Sequence, residues 1–414
     1  MSCRLRFQSA RVICHGLSRR KGHGLIKRSS LGIAFALMTL LFAVSVARGD
    51  DGLAKTLPIG ASAPDFTLPG IDGRNHSLQD YADARILVII FTANHCKTAQ
   101  AYEGRIIQLV NDYKDKGVAV VGIAPNDPQA LSLSELVYSD LGDSFEELKI
   151  RAQERGFNFP YLYDGDSQKV SRAYGPVSTP HVFIFDQARK LRYVGRIDDS
   201  ENIAAVTKQD ARNALDALLA GKPVPVEKTR TFGCSIKWSE KRAAAARELE
   251  AMEKEPVALQ SADVQLIKTL VTNDTPKMLL INVWATWCGP CLAELPELVT
   301  MNRMYRNGNF ELVTINADTP DRKALALADL QERHVAARNC IFDNKDKDAL
   351  ADALDAEWPG GLPYTILVAP GGKILQRQMG RVDSMKLKRS SRFTRHGRKT
   401  MVTGRNRRRA PFRE

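Results

Sequence analysis

The chain has 414 residues and a formal net charge of +13. The positive charge is concentrated at the two ends, because the first thirty residues hold eight Arg or Lys without an acidic residue and residues 386–414 carry +11. The remainder is mildly acidic, which excludes nucleic-acid binding by the body of the protein. The length exceeds what a single hydrophobic core usually supports and predicts two domains.

An uncharged apolar run over residues 31–44 follows the basic leader, and Ser45-Val46-Ala47 offers small residues for cleavage. This pattern predicts a secretory signal peptide over residues 1–47. The run is near the shortest length that spans a bilayer, so an uncleaved N-terminal membrane anchor is the alternative. In both cases we expect an exported protein, periplasmic or otherwise extracytoplasmic. Its five remaining cysteines are too few for a disulfide-stapled scaffold.

The first unit is predicted over residues 58–226. An apolar strand at residues 86–91 leads to Cys96, a helix follows from about Ala99 to Lys116, and a second strand covers residues 118–123. Further on, Ser178-Thr179-Pro180-His181 precedes an apolar strand that ends at Asp186. Cys96 is therefore expected at a helix N-terminus, beside His95 and Lys97, where its thiolate is favoured.

The opening Ala63-Pro64-Asp65-Phe66 and the turn Asn94-His95-Cys96 resemble the peroxiredoxin-like, or redoxin, branch of the thioredoxin superfamily. Peroxiredoxins carry a hydroxyl residue three positions before the peroxidatic cysteine, whereas this chain has Ala93, which puts peroxidase activity in question. The resemblance implies that Pro180 takes the cis-proline position of the substrate loop; a plain turn proline is the alternative. His181 is expected at the surface.

Residues 227–256 are predicted to be a linker that contains Cys234. The segment Gly233-Cys234-Ser235-Ile236-Lys237 also resembles the redoxin branch, which suggests a disulfide between Cys96 and Cys234 with Cys234 resolving; two unlinked thiols are the alternative. Ser239 to Lys254 is rich in Ala, Glu, Lys and Arg and predicts a solvated helix. Such a helix would be a semi-rigid spacer that could hold the two units as separate bodies.

The second unit is predicted over residues 257–385. The apolar strand Met278–Val283 leads into Trp287-Cys288-Gly289-Pro290-Cys291, which is followed by an apolar pattern of helical spacing. A helix N-terminus stabilises a thiolate, so Cys288 is the candidate nucleophile and Cys291, one turn on, the resolving thiol. Half of a zinc site is the alternative, although a second Cys or His pair is missing. Cys340 is predicted to be a buried small apolar residue.

The Trp-Cys-Gly-Pro-Cys sequence resembles thioredoxin, and Glu294 with Pro296 resembles more narrowly the exported TlpA/ResA-type thioredoxins that reduce disulfides outside the cytoplasm. Asn282 stands where thioredoxin has a buried aspartate. The resemblance implies proton exchange between Glu294 and Cys291; a solvated first-turn glutamate is the alternative.

A cis-proline loop facing the dithiol is also implied, at Gly361-Leu362-Pro363. Pro363 would hold the turn and leave the backbone of Leu362 free to pair with an extended substrate segment.

Residues 386–414 are predicted to be a basic tail, because the segment has too few large apolar residues to fold alone. It is either a disordered tail that contacts anionic surfaces or a segment of abnormal origin that replaced a closing helix.

These patterns predict an α/β protein of two tandem thioredoxin-like domains, each with a central mixed sheet flanked by helices. We expect an exported thiol-disulfide oxidoreductase that reduces disulfides of exported proteins through Cys288 and Cys291, with a membrane electron donor and without a cofactor or metal. One alternative is a peroxide reductase at Cys96 that the second domain recycles. The other is a chaperone for metal or haem maturation.

Overall fold

The computed structural model describes residues 54–390, all of which belong to the compact unit Gly52–Glu414. The predicted signal segment 1–47 and residues 391–414 of the predicted tail lie outside the described residues. Between residues 54 and 390, no helix is both long enough and apolar enough to cross a membrane.

The first domain contains a short antiparallel pair of strands and a five-stranded mixed sheet. Its strands are β1 (Thr67–Pro69), β2 (Asn75–Ser77), β3 (Ile86–Phe91), β4 (Val118–Ala124), β5 (Tyr161–Tyr163), β6 (His181–Phe185) and β7 (Leu191–Gly195). The sheet order is β5-β4-β3-β6-β7, with β3, β4 and β5 parallel and β6 and β7 antiparallel to their neighbours. The helices are α1 (Lys97–Tyr113), α2 (Phe145–Arg155), α3 (Lys169–Tyr174) and α4 (Asp210–Leu219).

Strand β3 is the centre of this domain because all six of its residues are apolar and buried. Alternate residues of a strand point to opposite faces, so Val88 and Ile90 enter one core cluster while Leu87 and Ile89 enter the other. Helices cover both faces of such a strand. The cysteine that follows it is consequently held between the sheet and the start of α1.

The predicted linker is largely part of the first domain. Lys228 forms a bridge with Val194, and Cys234 forms one with Thr179. Helix α5 (Arg242–Glu253) follows, mostly exposed except for Met252, and packs beside the 3-10 turn Pro128–Ala130. The expectation of a spacer that holds two separate bodies is wrong, because this segment lies against the first domain.

The second domain contains a six-stranded mixed sheet. Its strands are β8 (Gln260–Ala262), β9 (Met278–Trp284), β10 (Phe310–Asn316), β11 (Arg338–Phe342), β12 (Tyr364–Val368) and β13 (Ile374–Met379). The order is β13-β12-β9-β10-β11-β8, with β12 antiparallel to β9 and to β13 and the other pairs parallel. The helices are α6 (Val264–Thr272), α7 (Gly289–Tyr305), α8 (Lys323–Glu332) and α9 (Lys347–Leu354).

The two domains pack directly against each other. Leu133 and Leu136, on the 3-10 helix Leu133–Tyr138 of the first domain, contact the core cluster that contains α7. At the end of α7, the Tyr305 hydroxyl donates a buried hydrogen bond of 2.8 Å to the carbonyl of Ser139. The carboxyl end of α7 is therefore hydrogen-bonded to the loop region that follows β4.

Residues 384–390 are helical. Leu387 is buried in the second-domain core, and Arg389 pairs with Asp140 and Glu154 of the first domain. The first five residues of the predicted tail thus belong to the fold, because Leu387 packs in the second-domain core.

Candidate active site

The dithiol lies where β9 passes into α7. Cys288 occupies the N-cap position of α7 and Cys291 lies one turn inside it, and the structure holds the pair as a disulfide. Cys291 is fully buried, whereas Cys288 is 6% exposed. An incoming sulfur therefore reaches Cys288 first, and the free N–H groups at the start of α7 favour its thiolate once the disulfide is reduced.

A cleft of about 440 Å³ opens beside the dithiol. Trp287, 65% exposed, forms one wall, and Trp358 and Leu362 form another. The Leu362–Pro363 peptide bond is cis, as predicted. An exposed apolar side chain such as that of Trp287 at a cleft suits contact with a second polypeptide.

A buried polar pair lies beneath the dithiol helix. The Asn282 side-chain amide donates to Glu294 Oε1 at 2.7 Å, and the backbone N–H of Val382 donates to Glu294 Oε2 at 2.9 Å. Glu294 is fully buried, so the alternative of a solvated first-turn glutamate is wrong. Burial raises the pKa of Glu294 and outweighs the two hydrogen bonds that lower it. Its carboxyl is thereby set up to hold a proton one turn from Cys291.

The first domain holds Cys96 at the equivalent junction, between β3 and α1. The backbone N–H groups of Ala99 and Cys234 each donate to Cys96 Sγ at 3.4 Å, and as a thiol Cys96 donates to the carbonyl of Thr179 at 3.1 Å. The Thr179–Pro180 bond is cis, as the resemblance implied. Cys96 is fully buried. Solvent therefore does not reach this sulfur unless neighbouring residues move.

Hydrogen bonds decide the protonation state of Cys96. Burial by itself would raise its pKa, but hydrogen bonds, chiefly from the Cys234 thiol and from the two backbone N–H groups, lower the pKa to about 6. The pKa of Cys234 is raised, first because its thiol donates to Cys96 and then because it is partly buried. The pair is therefore a thiolate at Cys96 held by a thiol at Cys234.

A buried histidine and aspartate adjoin this thiolate. His95 Nδ1 lies 2.5 Å from Asp143 Oδ2, and Asp143 Oδ1 accepts the backbone N–H groups of Asn94 and His95. Burial disfavours the charged imidazole, but the charge and hydrogen bond of Asp143, followed by the Cys96 thiolate, raise the pKa of His95. This raised pKa favours the positively charged imidazole beside the Cys96 thiolate.

A family model described as the AhpC/TSA family matches residues 59–194 and again residues 244–377, which together are more than half of the chain. The chain belongs to the AhpC/TSA family.

Three curated relatives of this AhpC/TSA protein are similar over part of its length. The thiol-disulfide oxidoreductase ResA of Geobacillus thermodenitrificans is 24% identical over 160 residues, which are 39% of this chain and 78% of the relative. HelX of Rhodobacter capsulatus, a thiol:disulfide interchange protein, is 28% identical over 42% of this chain and 75% of its own. A Mycobacterium tuberculosis protein named for the peroxiredoxins is 33% identical over 28% of this chain and 64% of its own.

A solved structure of a conserved protein from Geobacillus kaustophilus has 40% sequence identity and a TM-score of 0.40, and the match covers 45% of this chain and 94% of that chain.

Within the AhpC/TSA family, the present chain combines two thioredoxin-like folds with a Cys-Gly-Pro-Cys disulfide at a helix N-terminus. It is a thiol-disulfide oxidoreductase.

The remaining cysteines and His181 are placed as follows. Cys96 and Cys234 are in contact but neither is in a disulfide, so the disulfide between them stays a prediction. Cys340 is a buried free thiol, as predicted, and burial raises its pKa. His181 was expected at the surface, but it is buried at the start of β6. Burial, with the charge of Lys228, lowers the pKa of His181 to about 3.

Three functional neighbours escaped the sequence analysis: Asp143, Thr179 and Lys237. Asp143 lies 47 residues beyond Cys96 in a loop, without a local pattern that links the two. Lys237 is buried, pairs with Glu135, and its charge opposes protonation of His95. The only sequence signal for it was its place in the Gly-Cys-Ser-Ile-Lys segment.

Substituting Glu294→Gln should remove a pH dependence of stability. Because the pKa of Glu294 is raised in the fold, its contribution is fully present below its unfolded pKa of about 4.3 and is lost as the pH rises through the folded value. The free energy of unfolding of the wild type should therefore fall relative to the variant as the pH rises above about 4.3 and through the raised folded pKa of Glu294. Urea unfolding at each pH measures this difference.

The matched control is Glu297→Gln, which removes a half-buried carboxyl from the same helix where it pairs with Arg381. A difference that stays constant with pH in the Glu294→Gln variant would contradict the assignment of a raised pKa.

Substituting Cys234→Ala should raise the pKa of Cys96. The change removes one hydrogen bond to a thiolate, worth about 1.5–3 kcal/mol, which corresponds to about one to two pKa units. The alkylation rate of Cys96 by iodoacetamide, followed by mass spectrometry of its peptide, should then rise at correspondingly higher pH than in the wild type. Cys234→Ser keeps a donor at this position and should retain most of the lowered value; an unchanged midpoint in the alanine variant would exclude the Cys234 thiol as the donor.

Proposed function

We propose that this protein is an exported disulfide reductase whose working dithiol is Cys288 and Cys291. The observation that carries the proposal is the pair at the start of α7, with Cys288 6% exposed, Cys291 fully buried, and Glu294 buried one turn beyond Cys291. The basic and apolar leader over residues 1–47 supports export. Disulfide-containing exported proteins are its substrates, and a membrane dithiol donor regenerates it.

In the first step, the Cys288 thiolate attacks one sulfur of the substrate disulfide. A mixed disulfide forms between Cys288 and the substrate, and the second substrate sulfur leaves as a thiolate that takes up a proton. The cleft beside Trp287 and the backbone of Leu362 hold the substrate segment. This docking places the substrate sulfur in line with Cys288.

In the second step, Cys291 loses its proton and attacks the Cys288 sulfur. Its thiolate forms the Cys288–Cys291 disulfide and releases the substrate as a dithiol, so two electrons pass from the protein to the substrate. Glu294 accepts the proton from Cys291, because a carboxylate in this environment has a raised pKa and is a stronger base than an exposed one. The donor dithiol then reduces the Cys288–Cys291 disulfide again.

A second candidate function is peroxide reduction at Cys96. The lowered pKa of Cys96 and its contact with Cys234 favour it. The Cys96 thiolate would attack the peroxide to give a sulfenic acid and water or an alcohol, and Cys234 would condense with it to give a disulfide and water. The second-domain dithiol would then reduce that disulfide.

The direction of electron flow is tested by the reduction potential. With Gly289 and Pro290 between its cysteines, the Cys288–Cys291 couple should have a potential of about −270 mV, close to thioredoxin. Equilibration with dithiothreitol buffers, followed by alkylation and mass spectrometry of the two cysteines, measures it. The double variant Cys96→Ser with Cys234→Ser should leave the value unchanged, and a value of about −120 mV would instead identify an oxidant.

The identity of the substrate is tested by trapping. In the Cys291→Ser variant the mixed disulfide on Cys288 cannot be resolved, so exported proteins should accumulate on Cys288 and be identified by mass spectrometry. Adding Cys96→Ser should leave that set unchanged. Capture confined to this protein's own Cys96 or Cys234, and lost in the double variant, would overturn the reductase proposal in favour of the internal peroxide relay.

A further inference from the structure

The loop before β6 in the first domain pairs with a later segment of the same chain. The backbone N–H of Thr179 donates to the carbonyl of Cys234 at 2.9 Å, and the two residues form an antiparallel bridge. The Ser178 hydroxyl donates to Thr231 Oγ1 at 2.7 Å. We call residues 228–238 the strap, since this segment crosses the loop and covers Cys96.

The strap is fixed on both sides of Cys234. Phe232 packs on the first-domain core, with its ring centroid 6.2 Å from that of Tyr102. On the other side, Ile236 and Trp238 are buried, and the backbone N–H of Lys237 donates to Asn126 Oδ1 at 2.9 Å. These contacts hold the strap extended across the cysteine.

Gly233 sets how closely the strap approaches the loop. Its φ is +145°, and a Cβ atom there would lie 2.0 Å from the Thr179 carbonyl oxygen. Such a contact is impossible without displacement of one backbone. The strap therefore lies against the loop at a distance that only glycine permits.

The second domain leaves the corresponding position open. Leu362 precedes Pro363 and β12 as Thr179 precedes Pro180 and β6. Within residues 54–390, the backbone of Leu362 makes no hydrogen bond, and a cleft of about 440 Å³ adjoins it. One chain thus contains the same loop twice, once vacant and once paired with an extended, cysteine-containing segment.

We propose that the first domain has a docking site for an extended peptide segment that presents a cysteine to Cys96, and that the strap occupies this site in cis. The backbone of Thr179 pairs with the backbone of the segment, as it now pairs with Cys234. The place that Cys234 occupies is the subsite for the cysteine of the segment. Occupation by the strap buries Cys96, so a partner exchanges with this thiolate only after the strap has left. The ligand class is a peptide disulfide with a small residue before its cysteine.

The test uses a synthetic peptide with the sequence of residues 231–238, its cysteine joined to thionitrobenzoate in a mixed disulfide. The Cys96 thiolate attacks the peptide sulfur, a Cys96–peptide disulfide forms, the bond to thionitrobenzoate breaks, and the coloured thiolate leaves with the electron pair. No other oxidant is needed. The full-length protein carries Cys234→Ser, to remove the internal thiol, and its Cys288–Cys291 pair stays oxidised.

Adding Gly233→Ala should displace the strap and raise the rate of peptide capture on Cys96 by about tenfold or more. The matched control is Gly221→Ala, a glycine at φ +67° in the preceding chain whose added Cβ would meet nothing within 4 Å. This control should capture as slowly as Cys234→Ser alone. A peptide of the same composition in scrambled order should react more slowly with the displaced variant than the native sequence does.

Equal capture rates in all three proteins, or equal rates for native and scrambled peptides, would overturn the proposal. Disulfide reduction by Cys288 and Cys291 should be unchanged in the Gly233→Ala protein, which shows that it is folded. If that variant does not fold, Thr231→Ala removes only the hydrogen bond to Ser178, and a rise in capture with this milder change gives the same answer. An unchanged capture rate in the Thr231→Ala variant would contradict the proposal that the strap blocks access to Cys96.

Discussion

Each domain places a cysteine at the first turn of the helix that follows its central strand, and the free N–H groups of that turn determine what the sulfur can do. Strands β3 and β9 are buried along their whole length, so the position of the following helix is fixed by the sheet. The sulfur of Cys96 accepts a hydrogen bond from the N–H of Ala99 in that turn. The remaining parts of both sites are arranged around this anion-stabilising position.

The two sites differ in where the second thiol comes from. In the second domain it comes from the same helix, since Cys291 is one turn beyond Cys288. In the first domain the second thiol is that of Cys234, which lies on the strap 138 residues beyond Cys96 in the sequence. The proton chemistry differs accordingly. Burial raises the pKa of the Glu294 carboxyl, whereas the adjacent Asp143 carboxylate raises the pKa of the buried His95 imidazole.

Contact between the domains connects the surroundings of the two sites. Tyr305, at the end of the helix that starts with the dithiol, donates to Ser139. The Ser139 hydroxyl in turn lies 3.3 Å from the carbonyl oxygen of Asn94, two residues before Cys96. A displacement of α7 would therefore shift the loop that holds Cys96, because the groups between them are buried and hydrogen-bonded.

Local sequence determined the elements and the dithiol. The apolar runs of β3 and β9, the Cys-Gly-Pro-Cys turn and the prolines before β6 and β12 all lie within a few residues of the features they specify, so their pattern predicts them. The tertiary structure alone decided which distant groups meet. Asp143, Thr179 and the strap approach the Cys96 site from separate loops. His181 is buried, and Glu294 is buried with a hydrogen bond from the backbone N–H of Val382. These contacts depend on how loops fold over the sheets, and such long-range packing leaves no periodic signal in a single sequence.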